Sequence, residues 1–257
     1  MNSTDLQDVS TISPISREEV LPLALGALDQ LLAVLSDLDE QAWHRPTVCD
    51  GWTVDDMVGH MIGAAKSNIS VREMLRQQLH GLRHRGDFDG QSLDAANALQ
   101  VREHAHLTPS EKLAVLADVG PRAARARATT PGPLRPIPLP MGVGGSIPQA
   151  PPRLTLGRLN EVIYTRDTWL HRVDIARAAD VDPRLDSDVD RRLLDDVVAE
   201  WAATHGRPVQ LHLEGPAGGT WQQGHDGPTV TAEVADFLWG ITGRGEADGL
   251  LGTWVMF

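Results

Sequence analysis

Residues 131–152 read PGPLRPIPLPMGVGGSIPQAPP, eight prolines and four glycines in one stretch. Proline fixes φ and supplies no backbone N–H, so neither a helix nor a strand can run through it. Whatever lies on its two sides must be joined by a long irregular crossing. At that length the crossing reads either as a mobile connector or as a loop that covers a substrate.

Before the crossing, helix-start signals recur. Ser16 to Glu19 (SREE) is a capping box, in which the Ser hydroxyl accepts from the fourth residue's N–H and the Glu side chain reaches back. Ile15 precedes it as a hydrophobic staple, and Leu21, Leu25, Leu28, Leu32 and Leu35 then recur at spacings of three and four, one apolar stripe. Thr53 to Asp56 (TVDD) is a second box and opens another helix. A third helix is expected over Leu93 to His106. A fourth opens at Thr108 to Glu111 (TPSE), with Pro109 at the first helical position, and runs to about Ala128. Beyond the crossing, Leu154 to Ala179 reads as one long helix. Helices closed by a member that arrives after a long crossing form the pattern of a four-helix bundle.

The last third differs. Asp186 to His205 reads as a helix with Leu193, Leu194, Val197, Val198 and Trp201 on one side, ended by Gly206. Val209 to Leu213 alternates strictly, a strand with one wet face. Thr220 to Gln223 and Pro228 to Ala232 are expected as further strands, Val234 to Ile241 as a short helix and Leu250 to Phe257 as a closing strand. The expected fold class is therefore α+β: a helical bundle over 15–180 and a small α+β domain over 185–257.

Of the 257 residues, 41% are apolar and 23% charged, a globular balance. No apolar run is read as long enough to span a bilayer, and the polar N-terminus lacks the pattern of a signal peptide. A single cysteine, Cys49, excludes an internal disulfide, so a cytoplasmic setting is expected. A net charge of −12 argues against nucleic acid as a partner. The local basic run Arg72, Arg76, Arg83 and Arg85 falls on a helix pattern and reads as a solvated face.

The residues that could carry chemistry sit on two of the helices. Asp167 and His171 are four apart and so share a helix face, with Asp174 three further on and Tyr164, the one tyrosine, projecting the same way. His60, in GWTVDDMVGHM (Gly51 to Met61), falls on the apolar side of its helix beside Met57 and Ala64. If the two helices face each other, two imidazoles and a carboxylate meet inside the bundle. Three such ligands suit a catalytic divalent metal with one position open, and Asp174 could orient an imidazole. The competing reading is a set of hydrogen-bonded core residues. HExxH and paired cysteines are absent. Cys49 reads as packing rather than as a nucleophile, and His212 as solvated. His80, His84, His104 and His106 share no ligand spacing with a partner.

GWTVDDMVGHM resembles the motif that opens the second helix in the mycothiol-dependent maleylpyruvate isomerase family, part of the DinB-like metal-bundle superfamily. DTWLHRVDIARA is similar to that family's acidic-x-x-x-His-x-x-Asp segment. VQLHLEGPAGGTW followed by DFLWGITGR resembles its small C-terminal domain, and the resemblance spans roughly residues 15–257. It implies that His60, Asp167 and His171 bind a divalent metal, commonly zinc. The acidic ligand is typically Glu in the isomerase branch, and Asp167 is one methylene shorter. It further implies mycothiol as thiol cosubstrate, activated as a thiolate for isomerisation or S-transfer on a small electrophile. Arg244, in GITGR, would then clamp a carboxylate of the cofactor or substrate, or else simply cap its helix C-terminus. Trp52 reads as packing. The rival classes are a non-catalytic metal- or ligand-binding regulatory protein and a metal-dependent hydrolase with water in the open position.

Overall fold

The computed structural model describes residues 6–139 and 154–257. They divide into two compact units, one formed by residues 20–183 and the other by residues 6–19 with 184–257. The fold is α+β: helices dominate and a small mixed sheet lies in the second unit.

In the first unit the chain forms α1 (Arg17–Ser36, its first turn counted with the second unit), α2 (Glu40–Trp43), α3 (Val54–Ile69), α4 (Val71–His84), α5 (Ser92–His104) and α6 (Pro109–Ala128). After the crossing come α7 (Leu156–Arg158), a π-helical turn (Leu159–Ile163) and α8 (Tyr164–Ala179). The boxes at α3 and α6 close as expected. Thr53 accepts from the Asp56 N–H while Asp56 accepts from the Thr53 N–H, and Thr108 and Glu111 do the same. Side chains from α1, α3, α6 and α8 share one core, with Leu31, Met57, Ile62, Leu116 and Ile175 among its members. These four are the bundle, and α5 lies outside that quartet. The sequence reads 154–179 as uninterrupted; the π turn divides it. Most of the Pro/Gly-rich crossing, residues 140–152, lies outside the described residues. Its near flank carries a 3-10 turn at Gly132–Leu134, and Pro138 bridges antiparallel to Thr155.

Two expectations for α1 need correction. The buried stripe is Val20, Leu23, Ala24, Ala27, Leu28, Leu31, Val34 and Leu35, whereas Leu21, Leu25 and Leu32 are only half-buried. The helix is apolar nearly all round, so spacing alone admits more than one phase. For the same reason α1 is long and apolar enough to cross a membrane, contrary to the expectation that no run is. In the fold its buried face packs into the bundle core. The basic run on α4 is solvated, as expected, and Arg76 pairs with Glu73 and Glu103 at 2.6 Å each.

The second unit contains β1 (Leu6–Asp8), α9 (Asp188–His205), β2 (Val209–Glu214), β3 (Gly219–Gln223), β4 (Thr229–Glu233) and α10 (Val234–Ile241). The sheet order is β1-β3-β2-β4, with β2 and β3 antiparallel and the outer pairs parallel. Gly206 stops α9 in the left-handed region at φ +63°, where a side chain would be strained. Trp221 on β3 donates to Asp195 on α9 at 2.8 Å, and Trp201 on α9 donates to the Leu250 carbonyl at 2.9 Å. The expected closing strand at 250–257 does not form. A 3-10 turn occupies Gly249–Gly252, and Val255 donates to the Ile241 carbonyl at the end of α10. The fourth strand is β1, from the opposite end of the chain, which pairs along the edge of β3. Three residues with no alternation gave no signal of it.

One glycine sets the approach of α5 to α3. A Cβ on Gly63 would stand 2.5 Å from both Cβ and Cγ of Gln100 and 3.2 Å from its Cα. Gly63→Ala is therefore expected to destabilise the protein by about 1–3 kcal/mol through overpacking, read as a lower urea midpoint with helical circular dichroism retained. An unchanged midpoint would contradict the close approach.

Candidate metal centre

His60 on α3 and Asp167 and His171 on α8 converge. Each offers a ligand atom within 4.8 Å of the other two, and among the described residues no other group of three His, Cys, Asp or Glu does so. His171 Nε2 lies 3.4 Å from Asp167 Oδ1. The His60 and His171 rings stand perpendicular with centroids 5.7 Å apart. A tetrahedral ion with bonds of about 2.1 Å keeps its ligand atoms about 3.4 Å apart, so the two α8 donors already stand at that separation.

The hydrogen-bond pattern decides which ring nitrogens face the site. The Gly63 carbonyl and the Glu73 carboxylate only accept, and Gln77 Nε2 donates to them at 3.1 and 2.8 Å. Gln77 Oε1 must then face Gln100, whose Nε2 donates to it at 2.6 Å. Gln100 Oε1 is left to face His60 Nδ1 at 2.7 Å. An amide oxygen cannot donate, so His60 carries its proton on Nδ1 and presents the lone pair of Nε2. His171 is arranged in the same way. Its Nδ1 lies 3.1 Å from Oδ2 of Asp174, a fully buried carboxylate, which leaves Nε2 on the Asp167 side. The His–carboxylate contact that the sequence suggested for Asp174 is thus present. Burial pushes His60 down to about 4, with the His171 charge adding to the effect and Asp167 and Gln100 opposing it. The ring is neutral at neutral pH, as ligation requires.

Trp52 packs against the bundle core and also lies over His60, with ring centroids 5.1 Å apart. The Asp167 side of the cluster opens onto a pocket of about 480 Å³, counting its mouth, whose lining includes Asp167, Thr168, Tyr164 and Arg127. The Arg127 guanidinium lies over the Tyr164 ring at 5.5 Å. Burial draws Arg127 down to about 10 and pushes Tyr164 up, so the arginine is charged and the phenol neutral at pH 7.

The remaining candidates stand elsewhere. Cys49 is half-buried against the core. His212 shares a hydrogen bond with Thr220, His80 and His84 stack on each other, and buried His104 meets Lys66 and the Gln100 carbonyl. Arg244 belongs to the second unit, half-buried just after α10, with its backbone N–H donating to the Trp239 carbonyl. The sequence reading missed Gln77, Gln100 and Arg127. Glutamines carry no charge or spacing signal. Arg127 sits in the last turn of α6, where a cation ordinarily serves the helix dipole. Only its burial sets it apart.

Known proteins share this fold. The chain is similar to the crystal structure of the mycothiol-dependent maleylpyruvate isomerase, with 16% identity, 93% of each chain covered and a TM-score of 0.55. It is also similar to a histidine-to-alanine mutant of that protein, with 15% identity, the same coverage and a TM-score of 0.54. At such identities the likeness is one of fold. No curated protein matches the chain. Residues 24–176, more than half of the sequence, match the family described as the mycothiol maleylpyruvate isomerase N-terminal domain, and the chain belongs to that family.

Proposed function

We propose that this protein is a metal-dependent enzyme that takes mycothiol as a cosubstrate and uses its thiolate for isomerisation or S-transfer on a small electrophile. The convergence of His60, Asp167 and His171 carries this reading, and family membership supports it. The protein supplies two neutral imidazole nitrogens and one carboxylate oxygen, a donor set suited to zinc in an open catalytic site. A zinc ion bound there would hold the thiol as a thiolate, the nucleophilic form of sulfur.

The chain's own residues do the rest. Gln77 orients Gln100, and Gln100 holds His60 with Nε2 turned inward. Asp174 does the same for His171 and makes it a better donor. Asp167 sits at the boundary between the cluster and the pocket, and its negative charge lowers the net charge of a loaded site. Trp52 covers one side of His60. Arg244 is assigned by family resemblance to a carboxylate of cosubstrate or substrate. The cytoplasm is the setting in which a low-molecular-weight thiol and the single Cys49 stay reduced.

Purified protein should contain stoichiometric metal by elemental analysis, and His60→Ala and His171→Ala should each lose it. Unchanged metal in both variants overturns the ligand set. Gln100→Leu should keep the fold and weaken metal binding by about 10–100-fold, measured by competition with a chromogenic chelator; wild-type affinity would show that Gln100 does not orient His60. Mycothiol should raise the thermal midpoint of the metal-loaded protein more than an unrelated thiol at equal concentration.

A pH prediction follows from His60. In the metal-free protein its folded-state value of about 4 lies below the ordinary 6.5, so between those values the unfolded chain binds more protons. Stability should therefore fall as pH drops from about 6.5 to 4, by on the order of 3 kcal/mol from this group. His60→Gln should flatten that segment of a denaturation-versus-pH curve. An equal slope in the variant would contradict the assignment.

A further inference from the structure

Helix α4 turns its apolar residues outward. Its buried residues are Gln77 and Gly81, and a Cβ on Gly81 would collide with the Ser92 carbonyl of α5, so the helix is seated by its smallest residue. Val71, Met74, Leu75, Leu79 and Leu82 recur at steps of three and four on the outer side, where they are 39–70% exposed. They form one stripe along the whole helix, about 20 Å long. A monomer seldom leaves a contiguous apolar patch larger than a few hundred Å² unless something covers it.

The rim of the stripe is basic. Arg72 and Arg83 stand three turns apart on the flank beside Leu79, and Arg85 lies just beyond the last turn. All three are exposed and form no ion pair among the described residues. Glu73, the one acid within α4, is engaged by Arg76 and Gln77, and Asp87 and Asp89 come only after the helix ends.

These free cations select the occupant. Two copies that paired their stripes antiparallel would set Arg72 of one beside Arg83 of the other, like charge on like. The stripe also holds no tryptophan or tyrosine, the usual anchors of protein interfaces. A convex ridge of aliphatic side chains edged with unpaired arginines suits a lipid surface, which moulds to the ridge and supplies the anions. The chain carries a net charge of −12, so the field of an anionic surface would turn this basic face inward and the acidic remainder away. We infer that α4 is an interfacial helix that docks the protein on a membrane bearing anionic lipid headgroups, with its apolar stripe in the acyl boundary. This goes beyond the proposed chemistry and does not depend on the metal.

Flotation of the purified protein with lipid vesicles tests this. The protein should bind vesicles of phosphatidylglycerol and phosphatidylcholine in equal parts at least tenfold more tightly than vesicles of phosphatidylcholine alone. Salt at about 1 M, where screening acts over ~3 Å, should weaken the binding several-fold. Arg72→Gln combined with Arg83→Gln should cost about fivefold per arginine. Leu75→Ser combined with Leu79→Ser should abolish binding and keep a thermal midpoint close to wild type, because both side chains are exposed. If the leucine variant fails to fold, the arginine variant decides: binding equal to wild type overturns the proposal. A wild type that does not float with the anionic vesicles overturns it, as does equal binding to both vesicle types, or a leucine variant that binds as wild type does. A wild-type dimer in sedimentation equilibrium that the leucine variant reduces to a monomer would put a second copy on the stripe and overturn it as well. Failure in any of these ways leaves the metal centre and its chemistry untouched.

Discussion

An imidazole buried in a helical bundle has two ring nitrogens to satisfy, and the rest of this site follows from how that demand is met. For His60 and His171 one nitrogen is engaged by a buried acceptor, the Gln100 amide in one case and the Asp174 carboxylate in the other. The two remaining nitrogens turn toward each other and toward Asp167. Each ring meets only one of its two needs on its far side, and two lone-pair nitrogens facing a carboxylate are all acceptors that cannot satisfy one another. The same arrangement serves a cation well, because it offers lone pairs with fixed direction.

The scaffold holds these groups by short-range means. Gly63 removes the side chain that would keep α5 away from α3, so Gln100 can reach across to His60. Gln77 on α4 completes the chain of amides, which ties three helices to the orientation of one ring. On the other side, the π turn at Leu159–Ile163 precedes α8. Such a turn adds one residue to the helical repeat and rotates everything after it by about 100°. The face that Asp167, His171 and Asp174 present is therefore set by the turn as well as by their spacing. Tyr164, the first residue of α8, lies under Arg127.

Much of this was legible in the sequence, for identifiable reasons. The capping boxes at Thr53 and Thr108 are local devices, and the helices start where those residues place them. Gly206 stops α9 by its own backbone freedom. The i, i+4 and i, i+3 spacings of Asp167, His171 and Asp174 put them on one face whatever the surroundings. What could not be read depended on tertiary packing. The uniformly apolar α1 admits several buried stripes, and only the neighbouring helices select one. β1 is three residues with no pattern, made a strand by the free edge of β3. The tail after α10 has strand-like composition, but it follows a 3-10 turn and bonds back to Ile241. Gln100 and Arg127 are ordinary residues in sequence, and only their burial beside the cluster gives them weight.

The most direct test of the central claim is an anomalous diffraction measurement on crystals of the purified protein, with data collected on either side of the zinc absorption edge. The account predicts one strong peak bounded by His60 Nε2, His171 Nε2 and a carboxylate oxygen of Asp167. No peak there after incubation with zinc, or a peak held by other side chains, would contradict it.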